Sequence, residues 1–192
     1  MSAVIEQPTG TWTEARIMAL PDDGMNHEIV AGELIMSPKN NFEHEQICAR
    51  LLFALETFNR RHQSGAVIGS NLGYWMSNQN CRAPDVSFIR RERLARLGFR
   101  PGTRTFFPEA PDLAVEVLSP TNTPAEIAER LADFFASGTA LAWIIDPGSK
   151  SVTVYHAPNV FELVRTDGVL TGDDLLPGFR HPVADLFADW AW

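Results

Sequence analysis

Two acidic residues stand where short apolar runs would bring them together. Asp85 follows Pro84 at the head of Val86-Ser87-Phe88-Ile89, and Glu116 lies in the middle of Leu113-Ala114-Val115-Glu116-Val117-Leu118. A second Pro-Asp pair, Pro111-Asp112, opens the latter run. Each run reads as a strand, in which alternate side chains share a face, so Asp112, Ala114 and Glu116 point one way and Leu113, Val115 and Val117 the other. Burying a lone carboxylate among apolar neighbours is costly or forces its protonation, so Glu116 needs a partner. That partner is an arginine in one reading and a metal ion shared with Asp85 in the other. Paired carboxylates suit a hard divalent cation of the kind that activates water against a phosphodiester.

The elements that must position these acids can be read on either side of them. His27 to Met36 holds two short apolar runs about Ala31-Gly32 and predicts a hairpin. Glu43 to His62 predicts the longest helix, with an apolar stripe at Ile47, Leu51, Leu55 and Phe58 and with Phe53 exposed opposite it. Val67 to Met76 reads as one strand, Asn78 to Asn80 as a turn, and Arg90 to Phe107 as an arginine-rich interruption holding a short helix. Thr123-Pro124-Ala125-Glu126 has the N-cap threonine, first-turn proline and capping-box glutamate of a helix start, and Gly138 suits its left-handed end. Leu141 to Ile145 predicts a buried strand, Val152 to Val164 a hairpin, and Leu175 to Phe187 a turn-rich tail with a short amphipathic end. This order of elements predicts an α/β fold in which helices pack on a central mixed sheet.

Composition narrows the function classes. A chain of 192 residues, 45% hydrophobic and 21% charged, has the core content of one domain. We expect an irregular lead over residues 1–24 and a single domain over residues 25–192. No run of about 18 apolar residues could span a bilayer and the first ten residues lack a signal-peptide pattern, so a cytoplasmic protein with no membrane partner is expected. Cys48 and Cys81 are far apart and lack Cys-x-x-Cys spacing, which predicts reduced, buried thiols rather than a zinc site or a disulfide. A net charge of −8 argues against indiscriminate attraction to nucleic acid. Yet seven arginines (Arg82, Arg90, Arg91, Arg93, Arg96, Arg100 and Arg104) face only Asp85 and Glu92 in one stretch. That stretch is either a solvated basic face or a surface that steers an anionic polymer, with Arg90, Arg91, Arg93 and Arg96 as the contacts.

The string Pro84-Asp85, then Pro111 to Pro120, then Glu129-Arg130-Leu131, Gly138 and Trp143 to Pro147, resembles the Uma-type putative restriction endonuclease family of the PD-(D/E)XK nuclease-like superfamily. The likeness extends to Glu28, Gly32-Glu33-Leu34, Met36-Ser37-Pro38, His44 and Leu176-Pro177-Gly178-Phe179. The resemblance implies a restriction-endonuclease-like core and an endonuclease acting on DNA. It implies that Asp85, Glu116 and the Val117 carbonyl hold Mg2+ or Mn2+. Where the superfamily has a lysine two positions after the acid, this chain has Leu118; the resemblance moves that cation to the following helix, at Arg130. At about 100° per residue, Arg130 falls at the border of the stripe made by Ile127, Leu131 and Phe134. Unlike a lysine, a guanidinium keeps its proton, so Arg130 would serve as an electrostatic clamp or as a plain ion-pair partner of Glu116.

His44 falls on the apolar face of the long helix, as a packed core residue or, as the resemblance implies, as a phosphate contact or water-positioning group. Glu28 has the same standing. His27, His62, His156 and His181 read as surface or local packing residues. Three functions stay open at this level. One is a metal-dependent nuclease working as a homodimer. Another is a catalytically impaired nuclease-like dimer that binds nucleic acid or protein. The third is a structural dimer joined through Phe53 and the Trp190 and Trp192 tail.

Overall fold

The computed structural model describes residues 11–21 and 23–189. Trp190 and Trp192 lie outside them. The longest apolar stripe of the sequence becomes the longest helix. In α2 (Phe42–His62), Asn41 caps the start by accepting the His44 N–H at 3.0 Å, Glu43 and Glu45 occupy the first turn, and Arg60, Arg61 and His62 the last. Those charges match the helix dipole at both ends. Ile47, Leu51 and Leu55 are buried and pack with Val86, Phe88, Val115 and Val117 in the main core.

That core lies on one face of a six-stranded sheet. Its strands are β3 (Gly65–Gly69), β6 (Val86–Arg90), β7 (Leu113–Val117), β8 (Leu141–Asp146), β9 (Ser151–Ala157) and β10 (Val160–Val164). They are ordered β10-β9-β8-β7-β6-β3, and only the β7–β8 pair is parallel. The crossover between those parallel strands is α4 (Pro124–Ala136), as a parallel connection requires. Its Thr123/Glu126 capping box forms as expected, and Gly138 follows it in the left-handed region at φ 98°. Leu131 and Phe134 of α4 are buried against Ala142, Ile144 and Ala114, so α4 covers the opposite face of the sheet from α2. The expected mixed sheet flanked by helices is the observed architecture.

A smaller sheet flanks the site. It is ordered β2-β1-β5-β4, from β1 (Asn26–Val30), β2 (Glu33–Ser37), β4 (Tyr74–Trp75) and β5 (Cys81–Arg82). The β1–β2 hairpin turns through Ala31 and Gly32, at φ 50° and 80°, and Asn80 Oδ1 accepts the Ala31 N–H at 2.8 Å. A short helix, α1 (Glu14–Met18), packs Ile17 near Trp12, Ile29 and Cys81.

Two readings of the sequence need correction. Val67 to Met76 is not one strand: β3 ends at Gly69 and β4 resumes at Tyr74 in the smaller sheet. The tail from Leu175 is more ordered than a string of turns, because β12 (Leu176–Pro182) pairs with β11 (Val169–Gly172) before α5 (Val183–Leu186). The arginine-rich stretch does hold a short helix, α3 (Arg91–Arg96).

Candidate functional site

The site forms where β6 and β7 meet the smaller sheet. Their antiparallel register pairs Val86 with Val115 and Ser87 with Ala114, so one further step sets Asp85 across from Glu116. Asp85 Oδ2 accepts the Val117 N–H at 2.8 Å, which locks the bend before β6 onto the end of β7. Both carboxylates line a cleft of about 460 Å³, together with Glu28, Lys39, His44 and Arg130.

Glu116 is buried and shares a cation. Arg130 Nη1 lies 3.1 Å from Glu116 Oε1, while the same guanidinium grips Glu28 with two 2.8 Å hydrogen bonds. Glu28 is further tied by the Ala83 N–H at 2.9 Å and by Arg82 Nη1 at 3.5 Å, so both of its oxygens are committed. Arg82 in turn reaches Asp133 Oδ2 at 2.6 Å, and Asn78 and Asn80 donate to Asp133 at 2.7 and 2.9 Å. An alternating chain of acid and guanidinium thus runs from the cleft to the turn before β5. Glu28 acts within it as the anchor that orients Arg130, by a bidentate geometry that only guanidinium offers.

Charge is out of balance at the cleft end. Burial pushes the Glu116 carboxyl up to about 8; Arg130 opposes this, while Asp85 and Glu28 add to it. With its guanidinium shared with Glu28, Arg130 compensates Glu116 only in part. Burial lowers the pKa of Arg130, but Glu116 and Glu28 outweigh that and hold it above its ordinary value. It keeps its proton and cannot serve as a base.

His44 stands in the first turn of α2, buried, with Nε2 3.1 Å from Asp85 Oδ2. Burial lowers its pKa, but the hydrogen bond and charge of Asp85 outweigh that, so the imidazole titrates above 6.5. On the other ring edge, Nδ1 lies 3.6 Å from both Cys48 Sγ and Glu45 Oε1. His44, Cys48 and Asp85 therefore cluster as three potential metal donors. Their donor atoms all lie within 4.8 Å of one another, with Cys48 Sγ on the Nδ1 side of the ring and its thiol pKa driven far up by burial. A metal-binding thiol must be a thiolate. The same cleft is lined by Asp85, Glu116 and Val117, whose oxygens are hard donors of the kind that could hold a divalent ion.

The structure thus brings together Asp85, Glu116, Val117, Arg130, His44 and Glu28. It does not bring the α3 arginines to them. Asp85 precedes β6 and Arg90 ends it, which separates them by roughly 17 Å of strand. Arg93 and Arg96 are paired with Glu109 at 2.7 Å, and Arg93 also with Asp112 at 3.2 Å. Arg91 is exposed beside Glu92. His27, read as a surface or local packing residue, lines the cleft 3.4 Å from Asp23. Arg82, Asp133 and the two asparagines were not singled out from the sequence. Asp133 stands three residues after Arg130 on one helix, a spacing that places two charges on neighbouring ridges and could have flagged the pair.

Comparisons with known proteins bear on the family and the fold. A model of the family described as "Uma2: Putative restriction endonuclease" matches residues 12–184. Among solved structures, a "putative nuclease belonging to DUF820" from Anabaena variabilis superimposes with a TM-score of 0.77 at 21% identity, covering 92% of this chain and 97% of its own. That likeness is one of fold. A search of curated proteins finds no match.

Proposed function

This chain belongs to the Uma2 putative restriction endonuclease family, and from that premise we propose that it is a Mg2+- or Mn2+-dependent endonuclease hydrolysing phosphodiester bonds of DNA. The observation that carries the reading is the meeting of Asp85 and the buried Glu116 in one cleft at the end of β6 and β7, where Asp85 is fixed by the Val117 N–H. A divalent ion held by Asp85, Glu116 and the Val117 carbonyl would polarise a phosphate oxygen and lower the pKa of the attacking water.

The protein's own groups do the rest. Arg130, oriented by Glu28, stabilises charge that develops on the phosphoryl oxygens, as preorganised donors do in a site that excludes water. His44, tied to Asp85 through Nε2, holds that carboxylate in place. Hydrolysis proceeds in one displacement without a covalent intermediate. Of the basic stretch, Arg90 and Arg91 keep exposed side chains able to meet the flanking backbone of a long duplex. We place the enzyme in the cytoplasm as a homodimer, a reading supported by free, buried Cys48 and Cys81 and by the exposed Phe53.

The test is cleavage of plasmid DNA with Mg2+ or Mn2+. The expected result is activity that disappears with chelator and in Asp85→Asn. Equal activity in that variant would sink the proposal. A second reading, binding without cleavage, draws on Arg130 itself, since its bond to Glu116 is also that of a structural ion pair. It predicts duplex binding with no turnover under any divalent ion.

A further inference from the structure

Positive charge in the cleft is committed unevenly. Arg130 bridges Glu28 and Glu116, His44 faces Asp85, and His27 faces Asp23. Lys39 is different. Among the described residues it makes no ion pair, and its Nζ donates to a neutral acceptor, Asn26 Oδ1, at 3.3 Å. The chain has one other lysine, Lys150, which lies in the turn between β8 and β9, away from the cleft.

The backbone around Lys39 is fixed from both sides. Asn26 pairs with Ser37 in the β1–β2 register, and its side-chain amide lies 3.5 Å from the Pro38 carbonyl. Two residues after Lys39, Asn41 caps α2. The main chain is thus held at the cleft rim while the exposed side chain is free to swing. An ammonium is a compact charge with three donors on a flexible stem, suited to a phosphate oxygen as a point charge. Exchanging a neutral amide for a phosphate would replace an ordinary hydrogen bond with a charge-assisted one.

A polyanion entering this cleft meets Glu28, Asp85 and Glu116 against an arginine already shared between two of them. We infer that Lys39 is a substrate-binding residue whose ammonium grips the phosphodiester backbone at the cleft rim, releasing Asn26 to do so. The inference deepens the nuclease reading and rests on it.

The test is fluorescence anisotropy of a short fluorescein-labelled DNA duplex, with Ca2+ in place of Mg2+, across a salt series for wild type, Lys39→Gln and Lys39→Arg. Lys39→Gln should bind about tenfold more weakly at low salt and flatten the slope of log affinity against log salt by about one. Lys39→Arg should restore both, and with Mg2+ the loss in Lys39→Gln should fall on KM. A wild-type slope in Lys39→Gln would overturn the inference while leaving the nuclease reading in place. Equal weakening in both variants with unchanged slopes would overturn it in favour of a structural role. No binding by the wild type would overturn both readings.

Discussion

β6 and β7 carry a cluster of acids and arginines at each end, and the two clusters are balanced in opposite ways. At the far end, Asp112 accepts the Arg90 N–H at 2.8 Å and faces Arg93 at 3.2 Å, while Glu109 binds Arg93 and Arg96. Cations there are in excess. The hydrogen bond from Arg96, against a lesser penalty from burial, holds the Glu109 carboxyl below its ordinary value. At the cleft end, Glu28, Asp85 and Glu116 share Arg130 and the His44 contact, with Arg82 divided between Glu28 and Asp133, and burial drives Glu116 up to about 8. Both clusters combine acids and arginines about the ends of the same two strands. What separates a structural ion-pair cluster from a candidate metal site is a buried acid whose ionisation its neighbours do not compensate.

The largest difference should appear in activity. Asp85→Asn, which still accepts the Val117 N–H, should cut cleavage by about a thousandfold or more, whereas Asp112→Asn should leave kcat unchanged and lower the melting temperature. Equal losses of activity would mean that stability alone explains both ends, and would break the comparison.

Stability should differ next. Arg130→Met leaves Glu28 and Glu116 facing each other without their shared cation, and urea unfolding should show a loss of about 2–4 kcal/mol, reduced somewhat by partial exposure. Arg96→Ala, on an exposed side chain at the far end, should lower the urea midpoint only slightly.

The two ends should also respond to pH with opposite sign. Glu116 titrates higher in the folded protein than in the unfolded chain, so between about 4.5 and 8 the unfolded chain gives up its proton first. Its contribution to metal-free stability is therefore complete at acid pH and lost as pH rises to about 8. Glu109 titrates lower in the folded protein, so its contribution is present at neutral pH and lost as pH falls below its ordinary 4.5. Glu116→Gln should flatten the first dependence and Glu109→Gln the second, in urea midpoints measured across pH. Divalent metal binding below pH 8 should release a proton in wild type and none in Glu116→Gln, as read by calorimetry in buffers of different ionisation enthalpy.

The smallest effect belongs to the exposed arginines. Arg91→Ala should weaken duplex binding about twofold at low salt and not measurably near physiological salt, where surface charges are screened.

The acids at the cleft were legible because strand alternation is a two-residue rule and both lie in or beside runs long enough to show it. α4 was legible down to its capping box, since Thr123, Pro124 and Glu126 act locally. Arg82 and Asp133 were not, because β5 is two residues long and carries no periodicity. The hairpin of β11 and β12 was hidden by Pro177 and Gly178 and by a register shift at Thr171/Gly172. The break after β3 was missed for a related reason: the apolar residues from Val67 to Met76 alternate through it, and the change of sheet is set by tertiary packing around Tyr74 and Phe107. The Glu28–Arg130 pair joins residues far apart in sequence, and only the placement of β1 beside α4 reveals it.

The central claim is that Asp85 and Glu116 together form a divalent-metal site. Its most direct test is a crystal soaked in Mn2+ and measured at the manganese absorption edge. The account predicts one strong anomalous peak bonded to Asp85 and Glu116, with Arg130 still held by Glu28. Saturating Mn2+ with no peak between those carboxylates would contradict it.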